Sequence, residues 1–180
     1  MALRNILEKG DPTLEKPSRE VTAFDDRLHT LLDDMRETLF VANGIGLAAP
    51  QVGALRRAVL VLDLSALPEE DEAEDEEEYE EVVLELINPV ILETKGEQEE
   101  YEGCLSVPGL VGLVKRPSWV KVRAQDRHGV WIEVEGEGLM ARALCHELDH
   151  LDGKLYTRLT KELIDAAKLP EKLSEGTGAP

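Results

Sequence analysis

The feature that most restricts the fold of this chain is a largely apolar helical segment that carries two histidines, residues 139–151. Its leucines and alanines recur at helical spacing and Gly153 follows its end, a pattern typical of a buried α-helix. His146 and His150 are four residues apart and share one face of this helix, with Cβ atoms about 6 Å apart. Two imidazoles at that separation can bind one metal ion at about 2.0–2.1 Å. Because a buried imidazole needs a polar partner, the segment predicts a core helix with a metal site.

Glu147 lies one position beyond His146, so it is offset around the helix and can take a proton from a water on the metal. HExxH patterns also arise by chance, and two histidines do not complete a catalytic site, which needs a third protein ligand. No His or Cys follows His150, and no acidic residue downstream lies in a recognisable ligand motif. Upstream, Cys104 in the segment EGCLS is a candidate ligand, although it also fits a small buried strand residue.

Periodicity elsewhere in the chain predicts one further helix and several strands. The leucine spacing indicates an amphipathic helix over residues 24–42, capped by the hydroxyl of Thr22 with Asp25 three residues on. Short apolar runs predict strands at residues 58–64, 82–92, 120–124 and 130–134, the second interrupted at Asn88-Pro89 and the last two paired as a hairpin. Helices and strands in this order indicate an α+β fold.

The segment GIGLAAPQVG, residues 44–53, is too rich in Gly and Pro for a regular element and too apolar for a solvated loop. We therefore expect an irregular loop that lies against the core. A final amphipathic segment spans about residues 160–169 and stops at Pro170. The length of 180 residues predicts a single domain over residues 1–169 and a flexible tail over residues 170–180.

The formal net charge of −18 is concentrated in one acidic tract, residues 69–81. Eleven of its thirteen residues are acidic, so the rest of the chain carries a formal charge of only −7. The tract is typical of a solvated loop insertion between two strands, with cation or partner binding as the alternative. The acidic surface argues against direct binding of nucleic acid or an anionic membrane. No apolar run is long enough to span a membrane and no secretory signal is present, so the expected compartment is the cytoplasm. In that reducing compartment a disulfide between Cys104 and Cys145 is not expected.

Three segments together resemble the signature motifs of the peptide deformylases, in order and in approximate spacing: GIGLAAPQ at 44–51, EGCLS at 102–106 and HELDH at 146–150. The resemblance runs from Ile6 to about Leu159. It implies a single catalytic α+β domain in which antiparallel or mixed sheets pack around a central helix that bears HExxH, plus an N-terminal amphipathic helix. It also implies a hydrolase that removes the N-formyl group from the formyl-methionine of newly synthesised polypeptides and releases formate.

The resemblance assigns roles to residues of the three segments. Cys104, His146 and His150 would bind one divalent metal ion, with water at the fourth position, as in other catalytic sites with three protein ligands. The family usually holds Fe(II), and a thiolate with two imidazoles also suits Zn(II), Ni(II) or Co(II). Glu147 would be the general base. The side chain of Gln51 and the backbone N–H of Leu105 would stabilise the oxyanion.

Residues near these motifs are candidates for substrate binding and for support of the site. Gly46 would allow close approach of an extended peptide, and an apolar pocket for methionine would be lined by Ile45, Leu139 and Ala143. Three assignments near the motifs stay open. Glu102 and Arg116 form an ion pair or are two unrelated surface charges, and Asp149 orients an imidazole or caps another group. Cys145, where many family members carry glutamine, is a packing residue or an oxidation-prone thiol. His29 and His128 are assigned to no site.

Two other functions remain possible at this point. One is an HExxH metallopeptidase that cleaves internal peptide bonds, which would usually take a ligand from further downstream. The other is a binding protein with a structural metal, which would need a fourth protein ligand, and Cys145 is the only spare soft donor. The expected partners are N-formyl-methionyl nascent peptides, with transient proximity to the ribosome. Direct nucleic-acid binding is not expected, because the chain is acidic and lacks a basic C-terminal helix, and whether the protein docks on the ribosome stays open.

Overall fold

The computed structural model of this protein describes residues 2–64 and 82–169. The acidic tract at 69–81 and the tail at 170–180 lie outside these residues. In chain order the elements are α1 (Asp26–Val41), β1 (Gly46–Ala48), β2 (Ala58–Leu62), β3 (Val83–Lys95), β4 (Gln98–Cys104), β5 (Val107–Arg116), β6 (Trp119–Gln125), β7 (Trp131–Glu137), α2 (Gly138–Leu151) and β8 (Leu163–Asp165). Neither helix is long and apolar enough to cross a membrane, within the part of the chain that is described.

The strands form two sheets in which every neighbouring pair is antiparallel. The five-stranded sheet has the order β1-β2-β3-β6-β7, and the three-stranded sheet has the order β4-β5-β8. Of the antiparallel or mixed arrangements that the sequence allows, the described strands adopt the antiparallel one. The predicted β6–β7 hairpin is confirmed, with pairing from Trp119↔Glu137 to Gln125↔Trp131 around a turn in which Gly129 has φ +83°.

The five-stranded sheet lies between the two helices, and strand β2 shows how the sequence produces this. Val59 and Val61 pack in a cluster with Leu144 and Leu148 of α2. Ala58 and Leu60, the alternate residues, pack in a second cluster with the buried leucines of α1. A strand covered on both faces needs a continuous apolar run, and AVLVL supplies one. The helix that carries the histidines is thus held against the sheet by its apolar side chains.

The first helix begins later than predicted. Its cap residue is Asp25, whose carboxylate accepts a hydrogen bond from the backbone N–H of Leu28 at 3.1 Å. The prediction of Thr22 as the cap is wrong, because Asp25 itself satisfies a free N–H group of the first turn.

The Gly- and Pro-rich segment is more regular than predicted. Residues Gly46–Ala48 form strand β1, paired with β2 from Gly46↔Val61 to Ala48↔Val59, and Ala49–Val52 form a 3₁₀ turn. The prediction of an irregular loop is wrong here because backbone pairing with a neighbouring strand does not depend on side-chain pattern. The segment does lie against the core, as expected.

Strand β3 continues through the predicted interruption. Asn88 adopts φ +51°, and the register with β6 shifts between Ile87 and Val90. The Asn88 side chain accepts a hydrogen bond from the N–H of Val21 and donates one to its carbonyl, both at 2.8 Å. An asparagine tolerates this left-handed backbone, so the strand contains an irregularity and does not end.

The three-stranded sheet is not predicted by periodicity. β4 exposes glutamates, and β5 contains Pro108 and Gly109, which weaken the strand pattern. The amphipathic segment near residues 160–169 forms the short strand β8, which pairs with β5 from Leu110↔Asp165 to Gly112↔Leu163, followed by a 3₁₀ turn. Leu163 of β8 packs against the buried cluster of Cys104, Val107, Val114 and Tyr156, so the apolar spacing of this segment belongs to a short edge strand.

Candidate metal centre

Three side chains from two distant parts of the chain meet in the interior. Cys104 at the end of β4 joins His146 and His150 of α2, and their ligand atoms all lie within 4.8 Å of one another. Cys104 Sγ is 3.3 Å from His150 Nε2. Tetrahedral ligands at 2.0–2.3 Å from one ion are separated by about 3.3–3.8 Å, so the Cys104–His150 distance and the donor set fit a divalent metal. The three residues that the sequence proposes as ligands are therefore brought together.

The two imidazoles are oriented by different surroundings. His146 Nδ1 is 3.0 Å from Glu102 Oε2, which leaves Nε2 as its free ligand atom toward the cluster. Burial lowers the pKa of His150 well below its usual value, which favours the neutral imidazole that binds metals. The Nδ1 atom of His150 is buried and has no hydrogen-bond partner among residues 2–64 and 82–169.

A buried ion pair between Glu102 and Arg116 holds the carboxylate that contacts His146. Arg116 donates two hydrogen bonds to Glu102, at 2.8 and 3.0 Å, and a third to Asp149 at 2.6 Å. Burial would raise the pKa of Glu102, but hydrogen bonds from His146 and Arg116 lower it to about 2. Glu102 therefore stays ionised and holds the imidazole. Of the two alternatives in the sequence, the ion pair is present, and Asp149 acts on Arg116 instead of on an imidazole.

Tyr156 is a supporting residue that sequence reasoning missed. Its ring stacks on the imidazole of His146, with centroids 5.9 Å apart and planes 29° apart. Its hydroxyl donates a hydrogen bond to the carbonyl of Leu110 on β5 at 2.8 Å, and burial raises its pKa, so the donor proton is retained. No local pattern indicates this contact, because Tyr156 follows the helix and its partner lies in the unpredicted sheet.

Glu147 is buried beside the cluster and stays available for proton transfer. Its Oε2 atom has no hydrogen-bond partner in the described part of the chain, and burial raises its pKa to about 7. The carboxylate lies against Gly46, where a Cβ atom would come within 2.5 Å of Glu147 Oε1. Gly46 thus provides the space that the carboxylate occupies, a contact that the sequence analysis did not foresee.

Gln51 is held so that its amide NH₂ group faces the cluster. Its Oε1 accepts a hydrogen bond from the N–H of Ala48 at 2.8 Å. Its Nε2 donates to Ser106 Oγ at 3.1 Å and approaches Cys104 Sγ at 3.5 Å. Because the oxygen is already bonded to the backbone, the amide can present only its donor side to the cluster.

A cleft opens beside these groups. It contains all four predicted substrate-binding residues and Leu105, which lies in the turn between β4 and β5. The lining residues are Ile45, Gly46, Gln51, Glu102, Gly103, Cys104, Leu105, Leu139, Arg142, Ala143, His146 and Glu147. Arg142 was missed, and its Nη1 donates to the carbonyl of Tyr101 at 2.9 Å. Its position four residues before His146, on the same helix face, is the signal that could have found it.

Comparison with known proteins agrees with this geometry. A family model described as polypeptide deformylase matches residues 3–164. The chain belongs to the peptide deformylase family. It is 49% identical over 172 residues to a peptide deformylase of Acetivibrio thermocellus, covering 96% of this chain and 92% of that protein. It is 50% identical to one of Alkaliphilus metalliredigens, covering 90% and 100%.

Solved structures of peptide deformylases share the fold. A crystal structure from Legionella pneumophila superposes with a TM-score of 0.76 at 37% identity, covering 97% of this chain and 90% of that one. One from Thermotoga maritima gives a TM-score of 0.76 at 34% identity, covering 90% and 100%. These matches support a deformylase and give no support to the alternative of an HExxH metallopeptidase.

The remaining candidates lie outside the cleft of this peptide deformylase family member. Cys145 is buried in the core between α2 and the sheet, and burial raises its pKa to about 11, so it packs as a neutral thiol. His29 and His128 contact each other edge-on at 5.5 Å, and His29 Nε2 is 2.8 Å from the carbonyl of Arg127. These two histidines connect α1 to the β6–β7 turn.

Proposed function

We propose that this protein is a metal-dependent peptide deformylase that hydrolyses the formyl amide at the start of newly synthesised polypeptides. The products are formate and a peptide with a free methionine amino group. The observation that carries the proposal is the meeting of Cys104, His146 and His150 beside Glu147, whose buried Oε2 has no hydrogen-bond partner within the described residues, in a chain that matches the family over residues 3–164.

Cys104, His146 and His150 are the residues that would hold the ion. One soft thiolate with two imidazoles suits Fe(II), which we propose as the native ion, and also accepts Zn(II), Ni(II) or Co(II). A divalent ion bound there supplies Lewis acidity and activates water for attack at neutral pH. The protein's own contribution is the orientation of the ligands, in which Glu102 holds His146.

Glu147 is the proposed general base. It takes a proton from the water that attacks the formyl carbon and then delivers this proton to the departing nitrogen as the carbon–nitrogen bond breaks. Its place against Gly46, with Oε2 lacking a hydrogen-bond partner in residues 2–64 and 82–169, leaves that oxygen available for this task.

Gln51 and Leu105 are the proposed donors to the oxygen that becomes negatively charged during attack. The Gln51 amide is already oriented by Ala48 and Ser106, so it needs no reorganisation when charge develops. Each fixed donor of this kind typically raises kcat by a factor of about 10²–10³.

The methionine side chain is proposed to enter the cleft between Ile45, Leu139 and Ala143, where a long flexible apolar chain fits well. Gly46 is proposed to let the peptide backbone approach strand β1, which is an edge strand of its sheet. Because formylated chains emerge from ribosomes, the proposal places the enzyme in the cytoplasm with transient proximity to the ribosome.

The experiment that tests this function compares two peptides of the same sequence, one beginning with formyl-methionine and one with a free methionine. Purified anaerobically with its metal measured, the protein is expected to release formate from the first and to leave the second intact. Cleavage of internal bonds in the unblocked peptide, without formate release from the blocked one, would support a metallopeptidase and reject a deformylase.

A further inference from the structure

The N-terminal segment, residues 2–19, makes two backbone hydrogen bonds to residues of the signature motifs. The N–H of Leu7 donates to the carbonyl of Gln51 at 2.7 Å. The N–H of Lys9 donates to the carbonyl of Ser106, also at 2.7 Å. One short stretch of chain thus joins the turn that carries the first motif to the turn that carries the second.

The two carbonyl groups belong to residues whose side chains already contact each other, since Gln51 Nε2 donates to Ser106 Oγ at 3.1 Å. Gln51 follows β1 of the five-stranded sheet, whereas Ser106 lies between β4 and β5 of the other sheet. The bonds from Leu7 and Lys9 therefore link the two sheets near the point where Gln51 approaches Cys104.

Both ends of the N-terminal segment are attached to the helices. Near its start, Asp34 of α1 accepts hydrogen bonds from the N–H of Ala2 and from the side chain of Arg4. Near its end, the N–H of Ser18 donates to the carbonyl of Leu151 at the end of α2 at 2.8 Å. With both ends held, the segment resists displacement of its central residues.

We propose that Leu7 and Lys9 are positioning residues whose backbone N–H groups hold the Gln51 amide in register with Cys104. The inference rests on the proposed function, in which Gln51 is a donor to the oxyanion. Neither residue lines the cleft, so each acts through the carbonyl that it holds. A displacement of about 1 Å of such a donor costs about 10² in rate.

The test removes the N–H groups and keeps the rest of the full-length enzyme. Leu7→Pro and Lys9→Pro each delete one donor, and Leu7→Ala and Lys9→Ala are matched controls that keep it. Glu8→Pro controls for proline itself, because the Glu8 amide donates no hydrogen bond among the described residues. The two donor-deleting variants are expected to lose roughly 10–100-fold in kcat with KM within about twofold, and the three controls to stay within about threefold of wild type.

A double-mutant cycle with Gln51→Ala separates positioning from general structural support. If the N–H groups act through Gln51, adding Leu7→Pro to Gln51→Ala lowers kcat by less than about twofold. Full additivity of the two losses would overturn the inference, as would proline variants that match their alanine controls.

Hydrogen exchange gives a readout that needs no activity. The proline variants are expected to lose protection in residues 46–53 and 104–107 while α2 and the β6–β7 hairpin keep theirs. Unchanged protection at both sites, or loss spread over the whole molecule, would reject the inference.

If Lys9→Pro does not fold, an ester bond in place of the Glu8–Lys9 amide deletes the Lys9 N–H group without restricting the backbone. A wild-type enzyme that releases no formate refutes the proposed function, and the exchange pattern still decides the structural part of the inference.

Discussion

The contact between Gly46 and Glu147 leads to a quantitative prediction for Gly46→Ala. The new Cβ atom would lie 2.5, 2.7 and 2.8 Å from Oε1, Cγ and Cδ of Glu147, whereas ordinary contacts begin at 3.4 Å. The carboxylate must therefore move by about 0.9 Å. Gly46 does not have a positive φ, so its backbone conformation suits alanine and the strain arises at the contact with Glu147. Since a misplacement near 1 Å costs about 10²-fold, kcat is expected to fall about 100-fold with the metal retained.

The assay is formate release from a formyl-methionyl peptide, with metal content and thermal unfolding measured in parallel. Gly44→Ala is the matched control, because its Cβ would meet the flexible ends of Leu105 and Leu39 at 2.8 and 3.0 Å instead of the carboxylate. Both variants are expected to lose about 1–3 kcal/mol of stability through overpacking, so stability does not separate them, whereas kcat does. A folded, metal-loaded Gly46→Ala enzyme with kcat within threefold of wild type would refute the argument that this contact positions the base.

Three further predictions concern the site and the N-terminal segment. Glu147→Ala is expected to keep its fold and metal but to lose at least about 10² in kcat, and retained turnover would remove Glu147 from its role. Cys104→Ala is expected to lower both metal content and melting temperature, because metal binding is coupled to folding; unchanged metal content would mean that the ligand set is wrong. The N–H of Ala2 and the guanidinium of Arg4 lower the pKa of Asp34. The ionised Asp34 carboxylate therefore stabilises the folded protein above about pH 4, and this contribution disappears as the pH falls through the folded-state pKa. Asp34→Asn should therefore cost about 1–2 kcal/mol in urea unfolding at neutral pH and much less in acid, and an equal cost at both would contradict this assignment.

The parts of the fold that sequence predicts are those set by local pattern. The helix of His146 and His150 shows apolar spacing over several turns, and the β6–β7 hairpin has alternating strands around a turn sequence with Gly129. The meeting of Cys104 with the two imidazoles was predictable because motif order links them, even though periodicity does not place Cys104.

The remaining features depend on contacts between distant residues. The sheet of β4 and β5 was missed because glutamates, Pro108 and Gly109 obscure the alternation, and its pairing comes from the neighbouring strand. The same limit applies to Leu7 bonding to Gln51, 44 positions away, and to Tyr156 stacking on His146, because each contact joins residues of different structural elements. A sequence pattern indicates the secondary structure that one segment prefers, whereas these contacts form only when two segments pack together.

The placement of Cys104 and His150 on separate elements has a consequence for the protein during its own synthesis. These two side chains are 46 positions apart in the chain yet 3.3 Å apart in space. No growing copy that ends before residue 150 can assemble the full cluster, so under the proposed function the second helix has to be made before a metal ion can be bound. Each copy must then extend at least to residue 150 before it can process the beginning of another protein.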